Sequence, residues 1–333
     1  MADDKLTRRD FVKAGSLMVA GAVVGTGTPL RAEPPRMDPT KVRNFNPKMG
    51  YRRLGKSDVW ISEVSLGGHG GSGLENRKQV LARAAELGIN YLDTNMVAEC
   101  QVYGQALHEL KLRDSFYIGF ESWPFRAHEA DTVKVETMTK LIEERLKDYH
   151  TDCLDMWRPV GSTGPGDLTS VVTDRSLDTI AETFEKMKQQ GKLRFLGLSS
   201  HHPPTIRKII SHPAYTAVLF PYFFMTKEKQ QEGMLPLCEK HDVGAIAIKP
   251  MAAGFIKGET HTVHLKKILQ SKGLTAALPG VNNVQQLEQD VQASYTRDVP
   301  LTEQQTRALA DEAKDFYARL PEQYQWLRNW EYV

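Results

Sequence analysis

The sequence predicts an α/β protein, a (β/α)8 TIM barrel with an N-terminal β-hairpin and an extra C-terminal helix. Three observations carry that expectation. Short apolar stretches alternate with amphipathic helical ones along most of the chain, the pattern of parallel strands joined by crossover helices. The glycines of Gly67-Gly68-His69-Gly70-Gly71-Ser72-Gly73 lack GxGxxG spacing and do not open directly into a helix. That counts against a doubly wound open sheet, the competing architecture. Finally, Asp93 ends the apolar stretch Tyr91-Leu92. An ionisable group at the tip of a buried strand is costly unless something uses or neutralises it, and strand tips are where barrels hold active sites.

Taken in order, residues 1–32 are set apart from the fold. Thr7-Arg8-Arg9-Asp10-Phe11-Val12-Lys13 precedes a modest apolar run and reads as a twin-arginine export signal. The competing reading is a chance Arg-Arg pair. The run is short and glycine-rich, too weak for a membrane span, and no cysteine follows it for a lipid anchor. The expectation is export of the folded protein to the periplasm or another extracytoplasmic space. The twin-arginine translocase is then a transient partner, and there is no stable membrane anchor. Leu30-Arg31-Ala32 is the candidate cleavage site, residues 33–50 are a Pro-rich linker, and residues 51–333 form the barrel with its C-terminal helix and aromatic tail.

Arg52 to Ile61, bent at Gly55-Lys56, predicts the hairpin. Strands are expected at Val64–Leu66, Asn90–Leu92, Phe116–Phe120, Cys153–Trp157, Phe195–Leu198, Ala217–Pro221, Ala245–Ile248 and Ala276–Leu278. Helices are expected at Lys78–Leu87, Gln105–Leu112, Val133–Asp148, Leu177–Gln190, Pro204–Ser211, Glu228–His241, His264–Ser271 and Val284–Ser294. A last helix, Thr302–Ala318, starts on an N-cap, and the Trp- and Tyr-rich tail after it could fold over a barrel mouth.

Composition narrows the function classes. The 333 residues are 25% charged with a net charge of +2, which gives no electrostatic argument for nucleic acid as a partner. A small-molecule substrate is expected instead. Cys100, Cys153 and Cys238 show no CxxC or metal spacing and read as buried free thiols.

Several motifs resemble aldo/keto reductases. Tyr51-Arg52-Arg53-Leu54-Gly55-Lys56-Ser57 and Val64-Ser65-Leu66-Gly67-Gly68 are similar to that family's hairpin and first strand, and Gly88-Ile89-Asn90-Tyr91-Leu92-Asp93-Thr94 to its second. Thr151 to Asp155, Gly191 to Ser199, Ile248 to Gly254 and Pro279 to Glu288 are similar to the fourth, fifth, seventh and eighth. The resemblance runs in order from Tyr51 to about Ala310. It implies a barrel that reduces carbonyls with NADP or NAD, using an Asp, a Tyr, a Lys and a His at strand tips. Asp93 matches the Asp. The Tyr falls at Ala98, the Lys at Glu121 and the His at Val160. Ile248-Lys249-Pro250-Met251 resembles a subgroup with a C-terminal iron–sulfur segment, but no cysteine follows Cys238, so no iron–sulfur cluster is expected.

The candidate catalytic residues are therefore Asp93, Glu121, Arg158, Tyr103 and His201. Asp93 and Glu121 on adjacent tips repel unless a cation such as Arg158 bridges them. Tyr103 is either a packing residue of the following helix or a replacement acid in the mouth. His69, His201 and Lys249 are possible assistants, and a buried ion network that merely fills the mouth is the competing reading. No spacing argues for a metal.

For the cofactor, the resemblance implies Ser199 and Ser200 at the carboxamide, Lys249 near the dinucleotide, Ile248 where an aromatic usually stacks, and Leu219 where a Gln usually stands. It implies Gly280, Asn282 and Asn283 at a phosphate-binding helix start. Gln286 and Asp290 stand where an Arg and an Asn usually contact the 2′-phosphate and adenine. Two functions stay open: a nicotinamide-dependent oxidoreductase with a rearranged site, or a catalytically silent or non-redox barrel. The latter would bind a ligand or work on a carbohydrate-like ligand by carboxylate acid/base chemistry.

Overall fold

The computed structural model describes residues 35–68, 73–121, 125–161, 172–226, 233–256, 258–322 and 324–325. The stretch expected as an export signal, His69 and most of the aromatic tail lie outside them. Strands β1 (Tyr51–Arg53) and β2 (Trp60–Ser62) pair antiparallel as the expected hairpin. Seven parallel strands then hydrogen-bond in chain order. They are β3 (Tyr91–Thr94), β4 (Tyr117–Phe120), β5 (Leu154–Trp157), β6 (Leu193–Ser199), β7 (Ala217–Pro221), β8 (Gly244–Ile248) and β9 (Leu274–Leu278).

Residues 64–67 take the eighth place. Val64 bridges Ala277 and Leu66 bridges Leu92. Ser65 N–H donates to Ala277 O (3.0 Å), and Asp93 N–H donates to Leu66 O (2.9 Å). The expected first strand is thus present as bridges that close the ring between β3 and β9.

Between the strands run α1 (Leu74–Glu86), α2 (Val97–Leu110), α3 (Val135–Asp148), α4 (Asp174–Gln189), α5 (Pro203–Ser211), α6 (Met234–His241), α7 (His261–Leu269) and α8 (Val284–Tyr295). The last helix, α9 (Glu303–Arg319), is the extra one, and the side chain of Thr302 caps it by accepting from Gln305 N–H. Several boundaries depart from expectation, and two of them bear on the site. β3 runs on through Asp93 and Thr94, because both pair with Gly119 and Phe120 of β4. Helix α2 starts eight positions earlier than the pattern suggests. Glu99 Oε2 accepts the N–H groups of the N-cap residue Met96 (3.2 Å) and of Asn95 before it (2.8 Å), which ties the chain entering the helix to its first turn.

Side chains alternate along each strand, so one set points outward to the helices and the other fills the barrel. The inner set is a separate apolar cluster that includes Tyr91, Tyr117, Met156, Leu219, Ile246, Ala276 and Leu278. The hairpin plugs the strand-start end with Leu54, Val59 and Ile61. Its turn requires Gly55, whose φ is +50° and where a Cβ would meet Thr216 O at 2.2 Å. The end of the stretch expected as linker is pinned to the same face: Asn44 donates to Ile89 O (2.7 Å) and to Ser115 O (2.9 Å). No helix among the described residues is long and apolar enough to cross a membrane.

Candidate active site

Parity along the strands selects what reaches the open mouth. Tyr91 and Asp93 on β3, Tyr117, Gly119 and Glu121 along β4, and Met156 and Arg158 along β5 share the inward phase. Asp93, Gly119 and Met156 sit level, and Glu121 and Arg158 follow at the next layer up.

Arg158 grips Asp93 with two donors, Nε to Oδ2 at 3.0 Å and Nη2 to Oδ1. The same Nη2 reaches Thr94 O at 3.1 Å, and Nη1 lies 3.9 Å from Glu121 Oε2. Burial works against the Arg158 cation, but Asp93 and Glu121 more than offset it and hold the guanidinium charged. Glu121 accepts from Arg126 Nη1 on its other oxygen. Burial nevertheless raises its carboxyl above the usual range, despite both guanidinium groups. From below, the Tyr91 hydroxyl donates to Asp93 Oδ2 at 2.9 Å. Burial and then Asp93 push that phenol far up, so it stays a donor. Gly119 leaves the room for this contact, since a Cβ there would meet Tyr91 Oη at 2.1 Å and Asp93 Oδ2 at 2.5 Å.

Lys249, just beyond β8, adds a third cation. Its Nζ lies 3.2 Å from His201 Nε2 in the loop after β6. An ammonium only donates, so Nε2 accepts and the imidazole proton sits on Nδ1. His201 is buried, and burial followed by the Lys249 charge drives its pKa well below the ordinary value. Burial first, and then repulsion from Arg158, lower Lys249 to about 8, with Glu121 opposing. The backbone here is held in an uncommon form: Lys249, Ala252 and Ala253 all have φ between +46° and +57°. Non-glycine residues in that region cost of order 1 kcal/mol or more and cluster at functional sites.

The structure therefore brings Asp93, Glu121, Arg158 and His201 to one mouth, joined by Lys249. Tyr103 does not join them. It is buried on α2, where its hydroxyl accepts from Arg77 Nη1 at 2.8 Å, so the geometry follows the packing alternative. Ala98 is exposed on α2, so nothing phenolic replaces it there. Cys100 is buried with a thiol pushed up to about 11, which removes it as a nucleophile. Sequence reasoning missed Tyr91, Gly119 and Arg126. The two-residue spacing of Tyr91 and Asp93 signals a shared face; the Arg126 contact needs a loop conformation that carries no sequence signal.

The cofactor half is divided. Ser199 and Ser200 are buried at the tip of β6, with Ser200 Oγ accepting from His202 N–H at 3.0 Å. Gly280 is exposed, and there a Cβ would meet only Gly68 O, at 3.5 Å, so backbone can approach a ligand. Asn283 caps α8 by accepting from Gln286 N–H (2.9 Å), while Gln286 Oε1 accepts from Asn282 N–H (2.8 Å). That leaves a polar helix start suited to phosphate, with no cation at Gln286. Asp290 departs from the expected adenine contact. It is 1% exposed and turned to His261 Nε2 at 2.5 Å, because α7 packs against α8 there. The helix start suits the phosphates of a dinucleotide, and the adenine end lacks the expected side chain. Among the described residues no group of three His, Cys, Asp or Glu side chains could hold a metal ion.

Residues 64–267 match the model of the Aldo/keto reductase family. The chain belongs to the aldo/keto reductase family. Its members are oxidoreductases that generally use NADP(H). Among relatives, the chain is 26% identical to the uncharacterized oxidoreductase YqkF of Bacillus subtilis, over 81% of this chain and 98% of that protein. It is 22% identical to the aldo-keto reductase yakc (NADP+) of Schizosaccharomyces pombe, over 57% of this chain and only 56% of that protein. An aldo-keto reductase of Bacillus halodurans, solved in its holo form, has a similar fold. The TM-score is 0.65 and the identity 23%, over 83% of this chain and 99% of that one.

Proposed function

We propose that this protein is an exported, nicotinamide-dependent oxidoreductase that reduces carbonyls or oxidises alcohols at a rearranged barrel mouth. The observation that carries the reading is Asp93: the family barrel keeps its acid at the tip of β3, but holds it with Arg158. A reduced nicotinamide, when bound, supplies hydride to the substrate carbon. Ser199 and Ser200 would hold its carboxamide, and Gly280, Asn282 and Asn283 its phosphates. Asp93 and Arg158 then act as a fixed, neutral pair that shapes the mouth. The Arg158 guanidinium faces any negative charge that develops on a substrate oxygen, at a site where water is scarce and charge interactions are strong. The missing adenine contact and the Gln at position 286 favour NADH at least as much as NADPH.

Quenching of the five tryptophans during titration with NADPH and with NADH tests the proposal. Saturation well below millimolar is the expected result, and no response to either at near-millimolar levels sinks it. Export is tested by fractionating cells that carry the Arg8→Lys/Arg9→Lys protein; equal periplasmic yield with and without the pair would count against the twin-arginine route. A second reading rests on Glu121, whose carboxyl is raised by burial beside Asp93. Two unlike carboxyls could run acid/base chemistry on a carbohydrate-like ligand without redox. Tightly copurifying dinucleotide argues against that alternative.

A further inference from the structure

We propose that Lys249 is the proton donor of this site, taking over the task of the phenol that position 98 lacks. The inference rests on the redox reading above and adds the identity of the acid.

The argument is one of donors and their commitments. At the mouth, Tyr91 Oη already donates its one hydrogen bond to Asp93. Arg158 spends Nε and Nη2 on Asp93 and Thr94 O, and Arg126 bonds Glu121. A guanidinium does not release a proton near neutrality in any case. Lys249 differs. Its partner is the neutral acceptor His201 Nε2, and among the described residues no carboxylate lies within salt-bridge distance of it. A lysine ammonium has three protons, and His201 takes one. The left-handed turn at Lys249 holds the side chain just beyond the tip of β8, with Arg158 close enough to repel it. The charged groups that act on it are Arg158 from β5 and Glu121 from the end of β4, with His201 neutral from the loop after β6. The resulting acidity, about 8, is where a general acid works well near neutral pH.

In the reducing direction, the carbonyl carbon takes up hydride with its two electrons. The C=O π pair moves to oxygen, and the oxygen takes a proton from Lys249 Nζ to give the alcohol. The neutral amine recovers its proton from water. His201 is a positioning residue here: it receives one N–H and aims the other two.

The experiment has two arms on the full-length protein. Competitive labelling with acetic anhydride across pH 6 to 11, read lysine by lysine by peptide mass spectrometry, needs no cofactor. Lys249 is expected to titrate near 8 while ordinary lysines titrate at about 10.4. A Lys249 midpoint among the ordinary lysines overturns the proposal.

The second arm follows reduction of 4-nitrobenzaldehyde by NADPH and NADH in the wild type, Lys249→Met, Lys249→Arg and His201→Gln. Loss of kcat by about 10²- to 10⁴-fold is expected in both Lys249 variants, measured at saturating dinucleotide. The arginine variant separates the roles, since it keeps the cation but holds its proton. Full activity in Lys249→Arg would leave Lys249 an electrostatic role only and overturn the proposal. In the wild type, kcat for reduction should fall above pH 8, and that limb should shift in His201→Gln. A wild type that binds dinucleotide but leaves the aldehyde untouched from pH 6 to 9 also counts against Lys249. Failure of the wild type to bind either dinucleotide sinks the redox reading itself. Retained turnover in Lys249→Met sinks the Lys249 assignment alone.

Discussion

Replacing Arg158 with methionine is the sharpest perturbation of the mouth. Arg158 is 4% exposed and supplies two hydrogen bonds to Asp93, with a third nitrogen 3.9 Å from Glu121. Methionine fills much of the volume but leaves Asp93 with Tyr91 and Glu121 with Arg126. Removing one partner from a buried pair typically costs about 3–5 kcal/mol, because the remaining charge stays desolvated. At roughly 2 °C per kcal/mol for a domain of this size, the melting temperature should drop about 6–10 °C at pH 7.5.

The loss should shrink on acidification. Burial already raises the Glu121 carboxyl above 4.5, and losing Arg158 removes the strongest influence opposing that. The native state then holds a proton that the unfolded chain has released. Its stability is fully present below the unfolded value and falls as pH rises through the folded one, by about 1.4 kcal/mol per unit inside that window. Melting curves at pH 5.5 and 7.5 for the wild type, Arg158→Met and Arg158→Met/Asp93→Asn measure this. The double variant should recover part of the loss. A melting point within 2 °C of wild type at both pH values would show that the ion network carries no stability.

Three further outcomes are expected. Gly119→Ala should destabilise the barrel by about 1–3 kcal/mol, since its Cβ would meet Tyr91 Oη at 2.1 Å, and Tyr91→Phe should rescue part of that in urea denaturation. Tyr103→Phe should cost about 1 kcal/mol by removing one buried hydrogen bond from Arg77 while leaving turnover within a few-fold. A hundredfold loss of turnover would put that phenol back in the site. Asp290→Asn should leave dinucleotide affinity within twofold in tryptophan quenching, because the carboxylate faces His261; a tenfold change would show that it reaches the cofactor.

Local patterning was enough to read the barrel from the chain. Strand and helix periods, the hairpin bend at Gly55 and the Thr302 cap are local signals, and each leads to an observed element. Asp93 as the centre of the mouth was also legible, since an acid ending an apolar strand needs a partner. Arg158 could be named from its strand position and from the need for a cation between two acids. What the sequence could not settle depends on chain segments far apart in order. Whether Tyr103 faces the mouth or Arg77 depended on how far back α2 begins, and that is set by Glu99 folding onto two backbone amides. Whether Asp290 faces a ligand or the core depended on α7 packing against α8. The Lys249–His201 contact joins residues 48 positions apart, from β8 and the loop after β6. Hydrophobic period is a property of neighbours in sequence. The acidity of a lysine belongs to what closure of the ring places around it, and only the tertiary structure decides that.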